Sequence, residues 1–111
     1  MIQKFLLLIL LALFTFGCQS KQSDELKEVS IALPTAKCET CKSNIETKLK
    51  SVVGIRSAIV SEKDPKFVKV SFNPGKTSEA KIRTAISEAG YDADSVKRTV
   101  SGYEDLQDCC K

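Results

Sequence analysis

Residues 29–100 alternate between two hydrophobic periods, and the order of these periods constrains the fold more than any other feature of the chain. Segments that favour half-buried strands lie at 29–33, 55–60, 67–72 and 95–100. A segment with helical spacing separates the first strand from the second, and another separates the third from the fourth. The predicted order of elements is therefore β-α-β-β-α-β.

Both helical segments have an apolar stripe and recognisable ends. The first stripe recurs every three or four residues: Cys41, Ile45, Leu49 and Val52. The second stripe has similar spacing: Ile82, Ala85, Ile86 and Ala89. Gly54 and Gly90 are natural helix ends, and Thr77 or Ser78 is a candidate N-cap of the second helix.

This order of elements predicts an α+β fold of the ferredoxin-like class. Two right-handed crossovers joined by a hairpin place four strands in one antiparallel sheet, with both helices on one face. One domain is expected, because the chain has 111 residues. The formal charge of +3 comes from interspersed basic and acidic residues, so the sequence shows no nucleic-acid footprint.

Cys38 and Cys41 form a Cys-x-x-Cys pair in PTAKCETCK (34–42), between the first strand and the first helix. A helix N-terminus and two flanking lysines favour the thiolate form, which is the metal-binding form. Two soft sulfurs in a chain without histidine suit Cu(I) or Hg(II), whereas Zn(II) usually takes four ligands. The motif alone is also compatible with a structural disulfide or a redox centre.

The sequence around this motif resembles the heavy-metal-associated domain, the small module of copper chaperones, metal-exporting ATPase tails and the periplasmic mercuric-ion-binding protein. The resemblance runs over residues 29–100 and rests on these segments: AKCETC (36–41), VVGI (52–55), VKVSFNP (68–74) and AGYDA (89–93). It implies that Cys38 and Cys41 are the metal ligands and that Tyr91 packs near the metal loop. Ala36 stands where the family commonly has Met.

The resemblance implies binding of a soft heavy-metal ion for transfer or sequestration, with Cu(I) preferred and Hg(II) or Zn(II) as alternatives. The implied partner is a protein with exposed thiols, such as a metal-transporting ATPase. We do not expect an enzyme, because the chain has no histidine and no Ser or Cys beside a base. The alternatives are a thiol–disulfide redox protein that uses Cys38 and Cys41, and a structural or adhesive lipoprotein.

Residues 1–17 predict a signal peptide of the lipoprotein type. FLLLILLALFTF (5–16) would rise about 18 Å as a helix, less than the roughly 30 Å hydrocarbon core of a bilayer. TFGC (15–18) resembles a bacterial lipobox, in which Cys18 would be acylated. Residues 18–28 predict a polar tether. We therefore expect an exported protein, lipid-anchored to a membrane of the cell envelope or periplasm; a plain signal peptide and an uncleaved anchor are the alternatives.

The tail SGYEDLQDCCK (101–111) contains a second pair of thiols, Cys109 and Cys110. Adjacent cysteines form only a strained ring disulfide, so ligation or pairing with other thiols is expected. A fourth strand antiparallel to the first would leave the tail far from Cys38, although residues 101–109 could extend about 30 Å back. Three roles stay open: auxiliary ligands in a shared site, a solvated tail, or a separate docking segment.

Overall fold

The computed structural model of the protein describes residues 2–4, 25–64 and 66–111. Its strands are β1 (Lys27–Ala32), β2 (Ile55–Val60) and β3 (Phe67–Phe72). Its helices are α1 (Glu39–Lys50), α2 (Glu79–Glu88) and α3 (Val100–Glu104), followed by a 3-10 helix at Asp108–Cys110. The predicted signal peptide (apart from 2–4), Cys18 and the tether up to residue 24 lie outside the described residues. Over the described ranges, no helix is long and apolar enough to span a membrane.

The three strands form one antiparallel sheet in the order β1-β3-β2. The alternation predicted from sequence is present, since Val68 and Val70 are buried while Lys69 between them is exposed. Val70 lies opposite Val29 of β1 and Ala58 of β2, so the apolar side chains of all three strands point to the same face. The bounds predicted for β2 and β3 are confirmed.

Helices α1 and α2 bury their predicted stripes in the core that the inner face of the sheet lines. Fully buried members of the stripes are Cys41, Ile45, Leu49, Ile82 and Ile86. Ser78 is the N-cap of α2, because its Oγ accepts a hydrogen bond from the Lys81 amide at 3.3 Å. Gly54 and Gly90 follow α1 and α2 with φ of 96° and 100°, a region that favours glycine.

The prediction of a fourth strand at 95–100 is wrong, because the structure has three strands in its described residues. Residues 93–96 instead form a turn, with Asp94 at φ 51° and an isolated bridge between Ala93 and Val96. The Arg98 amide then donates to Asp92 Oδ1 at 2.9 Å. The Thr99 amide donates to the Ser87 carbonyl at 3.1 Å. These donors are already satisfied, so they do not build a ladder along β1.

Asp94 attaches this segment to β1 at the edge of the sheet. The Ala32 amide donates to Asp94 Oδ1 at 2.8 Å, and the Asp94 amide donates to the Ala32 carbonyl at 2.9 Å. Arg83 of α2 donates through Nε to Asp94 Oδ2 at 2.9 Å. The chain therefore turns back at the end of β1 that precedes the Cys-x-x-Cys loop. As a result, the tail begins beside the C-terminus of α2 and not at the far end of the sheet.

Candidate metal centre

The Cys-x-x-Cys loop is positioned by the start of α1. Cys38 is the N-cap residue, with extended backbone (φ −137°, ψ 173°), and it is half-buried. Cys41 lies in the first turn and is fully buried, in line with Ile45 and Leu49 of the core stripe. The loop is also tied to the chain after α2, because the Asp92 amide donates to Thr35 Oγ1 at 3.0 Å. One thiol thus faces solvent and the other faces the core.

The tail is docked onto the domain and contributes to its core. Leu106 and Cys110 are both buried, at 9% and 2% exposure. The Thr99 hydroxyl caps α3 by accepting from the Gly102 amide at 3.1 Å. A Cβ added to Gly90 would lie 2.7 Å from the carbonyl carbon of Gly102, so the two backbones approach as closely as glycine allows. The alternative of a solvated tail is therefore wrong for this structure.

Docking of the tail brings the four predicted sulfur atoms together. Cys38 Sγ lies 2.8 Å from Cys109 Sγ, 3.3 Å from Cys41 Sγ and 3.5 Å from Cys110 Sγ. Cys109 Sγ and Cys110 Sγ are 3.8 Å apart. A disulfide joins Cys41 to Cys110, while Cys38 and Cys109 are free thiols. The bonded pair therefore links loop to tail and is not the Cys38–Cys41 pair that the motif alone allowed.

Three of these sulfurs lie close enough together to bind one metal ion. The Sγ atoms of Cys38, Cys109 and Cys110 all lie within 4.8 Å of one another. Among the described residues, no other group of three or more His, Cys, Asp or Glu side chains lies close enough together to hold a metal ion. Because all of its donors are soft sulfurs, the cluster suits Cu(I), Hg(II) or Zn(II) better than Mg²⁺ or Ca²⁺.

The pair Cys38 and Cys109 is electrostatically asymmetric. The pKa of Cys38 is lowered, chiefly by the hydrogen bond with the Cys109 thiol and further by the Cys41 amide. The pKa of Cys109 is raised, chiefly by the same contact with Cys38. Of the two thiols, Cys38 is therefore the one that ionises more readily, and it lies at the start of α1, where the helix dipole favours negative charge.

The two lysines that flank the motif have different roles. Lys37 Nζ donates to the backbone carbonyl of Lys111 at 2.8 Å, and so ties the loop to the tail. Lys42 Nζ instead pairs with Glu62 at 3.4 Å, and this hydrogen bond raises the pKa of Lys42. Positive charge therefore lies on both sides of the motif, and Lys37 is the residue that joins it to the tail.

Tyr91 lies beneath the junction of loop and tail. Its side chain is fully buried, and burial raises its pKa. Its hydroxyl accepts a hydrogen bond from Asn44 Nδ2 at 3.0 Å. The same Asn44 Nδ2 donates to Gln107 Oε1 of the tail at 2.9 Å. The sequence interpretation missed Asn44 and Gln107; the available signal was a polar residue at position 44, one helical turn after Cys41.

Comparison with known proteins places this site in a family context. A family model described as the heavy-metal-associated domain matches residues 30–92, which is more than half of the chain and excludes the tail. The copper chaperone CopZ of Staphylococcus epidermidis is 36% identical over 55 residues, which cover 50% of this chain and 79% of that protein.

Solved structures of other proteins share the fold. Oxidized MerP from Ralstonia metallidurans CH34 aligns with a TM-score of 0.58 and 26% identity, covering 63% of this chain and 96% of that one. A copper binding domain from HMA7, a P-type ATPase, aligns with a TM-score of 0.57 and 25% identity, covering 60% and 89%. These similarities confirm the ferredoxin-like α+β class in its coarse form.

Proposed function

The chain belongs to the heavy-metal-associated domain family, and on that premise we propose that it binds a soft heavy-metal ion through Cys38 and Cys41 for transfer or sequestration. The observation that carries the proposal is the convergence of Cys38, Cys41, Cys109 and Cys110 at the start of α1. Cys109 and Cys110 act as auxiliary ligands, because their sulfurs lie within 3.5 Å of Cys38 Sγ.

The ion that fits the proposal first is Cu(I), with Hg(II) and Zn(II) as alternatives. The relatives support this order, since they include a copper chaperone, a copper binding domain and MerP. An all-sulfur ligand set favours the softest of these ions, which accept two or three thiolates. Zn(II) usually takes four ligands and would then use both tail cysteines. Binding through Cys41 and Cys110 also requires that the disulfide between them be reduced, because thiolates are the ligands.

Exchange of the ion would occur with a partner that carries exposed thiols. The similarity to a P-type ATPase domain supports a metal-transporting ATPase as that partner. Cys38 is half-exposed and Cys109 is exposed, so an incoming thiolate can reach the ion from this side. The protein supplies ligands in this reaction and no catalytic group.

The place of action that we propose is the cell envelope. It rests on the sequence of residues 1–18 alone, in which an apolar run precedes TFGC and Cys18 is the lipidation site. Residues up to 24 would serve as part of a tether that lets the domain move near the membrane. Globomycin treatment, or mass spectrometry of the N-terminal peptide after expression in a bacterial host, tests the lipid on Cys18.

A thiol–disulfide redox protein is the second candidate function. The observation that favours it is the Cys41–Cys110 disulfide beside the free thiols of Cys38 and Cys109. This function predicts turnover in an insulin reduction assay and weak affinity for metal. The metal carrier predicts tight binding by the reduced protein and no turnover.

The experiment that tests the metal-binding function is an anaerobic Cu(I) titration of the reduced protein against a competing chelator. The Cys38→Ser variant should lose tight binding and stay folded, because Cys38 is half-exposed and outside the helix stripes. Ser43→Ala is the control variant. Ser43 lies on the exposed side of the same helix, so this variant should bind Cu(I) as the parent does. Stoichiometric binding by Cys38→Ser with unchanged affinity would contradict the assignment.

A further inference from the structure

We propose that residues 99–111 form a latch that closes the metal site with two additional thiolates, and that Asn44 and Gln107 are the positioning residues that hold it shut. The inference rests on the proposed metal-binding function and extends it from the ligands to the control of metal release. We define the latch by α3, the 3-10 helix and the residues that join them, residues 99–111.

The centre of the latch is the side-chain amide of Asn44. Its Nδ2 group donates to the buried Tyr91 hydroxyl at 3.0 Å and to Gln107 Oε1 at 2.9 Å. Tyr91 is fixed in the core, so it fixes the orientation of Asn44. Asn44 in turn holds Gln107, the residue immediately before the 3-10 helix that carries Cys109 and Cys110. The amide thus connects α1, the core and the tail at one point.

The latch is anchored on both sides of this point. On one side, the close backbone approach of Gly90 and Gly102 and the burial of Leu106 hold α3 against the end of α2. On the other side, the Lys37 ammonium holds the Lys111 carbonyl at 2.8 Å. Between these anchors, the tail has little freedom, and the two thiols are presented to the loop without further folding. This preorganisation lowers the entropic cost of binding with additional ligands.

The sulfur positions suit a four-coordinate ion once Cys38 Sγ and Cys109 Sγ, 2.8 Å apart, separate by about 1 Å and the Cys41–Cys110 bond is broken. Four thiolates at about 2.3 Å from Zn(II) in a tetrahedron are about 3.8 Å from one another. The Cys109–Cys110 distance is 3.8 Å, and the distances from Cys38 to Cys41 and Cys110 are 3.3 and 3.5 Å. Reduction of the Cys41–Cys110 disulfide, by two electrons and two protons from a dithiol, frees the last two ligands.

Closure of the latch changes how a partner reaches the ion. Cys41 is fully buried and Cys110 is 2% exposed, so neither sulfur can be approached while the tail is docked. Cys109 is exposed and is the ligand that an incoming thiolate can replace first. Complete transfer then requires release of the latch, which breaks the Asn44–Gln107 hydrogen bond. The reduced protein with a closed latch therefore retains its ion longer than the loop alone would.

The experiment compares coordination and release in the reduced, full-length protein. Co(II) serves as a spectroscopic substitute for Zn(II), since its visible absorption distinguishes tetrahedral thiolate sites from sites with fewer sulfurs. Release is measured as the rate at which Zn(II) passes to a chromogenic chelator. The variants are Asn44→Ala, Gln107→Glu, the double variant Cys109→Ser/Cys110→Ser, and the control Ser43→Ala on the exposed side of α1.

Asn44→Ala should release Zn(II) about 3- to 10-fold faster, the range expected when one or two hydrogen bonds are lost. Gln107→Glu keeps an oxygen that accepts from Asn44 and should behave like the parent, as should Ser43→Ala. The double variant should lose the tetrahedral Co(II) spectrum and still bind Cu(I) through Cys38 and Cys41. A parent and a double variant with the same Co(II) spectrum and the same release rate would overturn the latch and leave the metal-binding function intact. If the reduced parent binds none of Cu(I), Zn(II) and Co(II), the proposed function itself is overturned.

Discussion

Cys110 is bonded through sulfur to Cys41, with their Cα atoms 5.9 Å apart although they are 69 positions apart in the sequence. The bond joins the tail to the first turn of α1, and it occupies two of the four sulfurs of the cluster. Reduction of this disulfide is therefore a condition for binding metal through all four cysteines.

The first prediction concerns this redox dependence. The oxidised protein, prepared without reductant, should bind fewer metal ions or bind them much more weakly than the reduced protein, because the disulfide sulfurs cannot act as thiolates. Digestion of the oxidised protein followed by mass spectrometry should recover a peptide pair that contains Cys41 and Cys110. Recovery of Cys38–Cys41 as the major pair would contradict the docking of the tail.

The second prediction concerns Gly102. A methyl group there would collide with the backbone at the end of α2, where the Glu88 carbonyl and the Gly90 amide lie. Gly102→Ala should therefore displace α3 and the cysteines that follow, and proteolysis should cut the tail faster than in the parent. Gly75→Ala is the matched control, because the nearest atom to its Cβ would be a side-chain oxygen of Asn73 at 3.2 Å. Equal protection of the tail in Gly102→Ala and the parent would contradict the prediction.

The third prediction concerns the pH dependence of stability. Arg83 lowers the pKa of Asp94, and Asp94 also accepts the Ala32 amide. Because the folded pKa is lower than the unfolded value of about 3.9, the stabilisation is complete above that pH and is lost as the pH falls through the folded pKa. Asp94→Asn should cost about 1 kcal/mol of unfolding free energy at neutral pH.

Urea unfolding at neutral pH and at about pH 3 measures this effect, since the Asp94→Asn and parent curves should approach each other as the carboxyl group is protonated. Asparagine tolerates the positive φ of 51° at this position, so backbone strain does not confuse the comparison. A difference in stability that is the same at both pH values would show that ionisation of Asp94 contributes nothing.

The fourth prediction concerns Thr77. Its hydroxyl oxygen is buried and has no hydrogen-bond partner. Among the described residues, no other buried side-chain oxygen or nitrogen lacks one. Thr77→Val replaces that hydroxyl with a methyl group of similar shape and should leave stability unchanged or raise it by up to about 1 kcal/mol. Thermal unfolding measures the effect, and Ser78→Ala is the contrasting variant, because it removes the N-cap of α2. A clear loss of stability in Thr77→Val would contradict the structural assignment.

Much of the fold was predictable, because the spacing of apolar residues along the sequence indicates which side chains are buried. The alternation of Val68 and Val70 with Lys69, and the helical spacing of Cys41, Ile45 and Leu49, located the elements correctly. The prediction of a fourth strand at 95–100 was wrong, because its pattern does not report burial. Val96 and Val100 alternate with polar residues as in a strand, yet they are 36% and 75% exposed. Local hydrogen bonds of the Asp92 side chain and the Ser87 carbonyl determine this segment instead.

Only the part of the candidate site that is local in sequence, the Cys38 and Cys41 pair, could be predicted. Cys38 and Cys41 are close in sequence, so their spacing identified them as a pair of ligands. The tail could not be placed, because its position depends on the turn at Asp94, which replaces the predicted fourth strand, and on contacts between distant residues. Asn44 and Gln107 are 63 residues apart, and no periodicity relates them. A side-chain amide that bridges two elements leaves no pattern in the sequence.

The measurement that tests the central claim most directly is X-ray absorption of the reduced protein loaded with one equivalent of Cu(I). The expected result is a first coordination shell of sulfur alone, with loss of one sulfur or more in Cys38→Ser. A shell dominated by nitrogen or oxygen, or a sulfur shell that Cys38→Ser leaves unchanged, would contradict the assignment of this cluster as the metal centre.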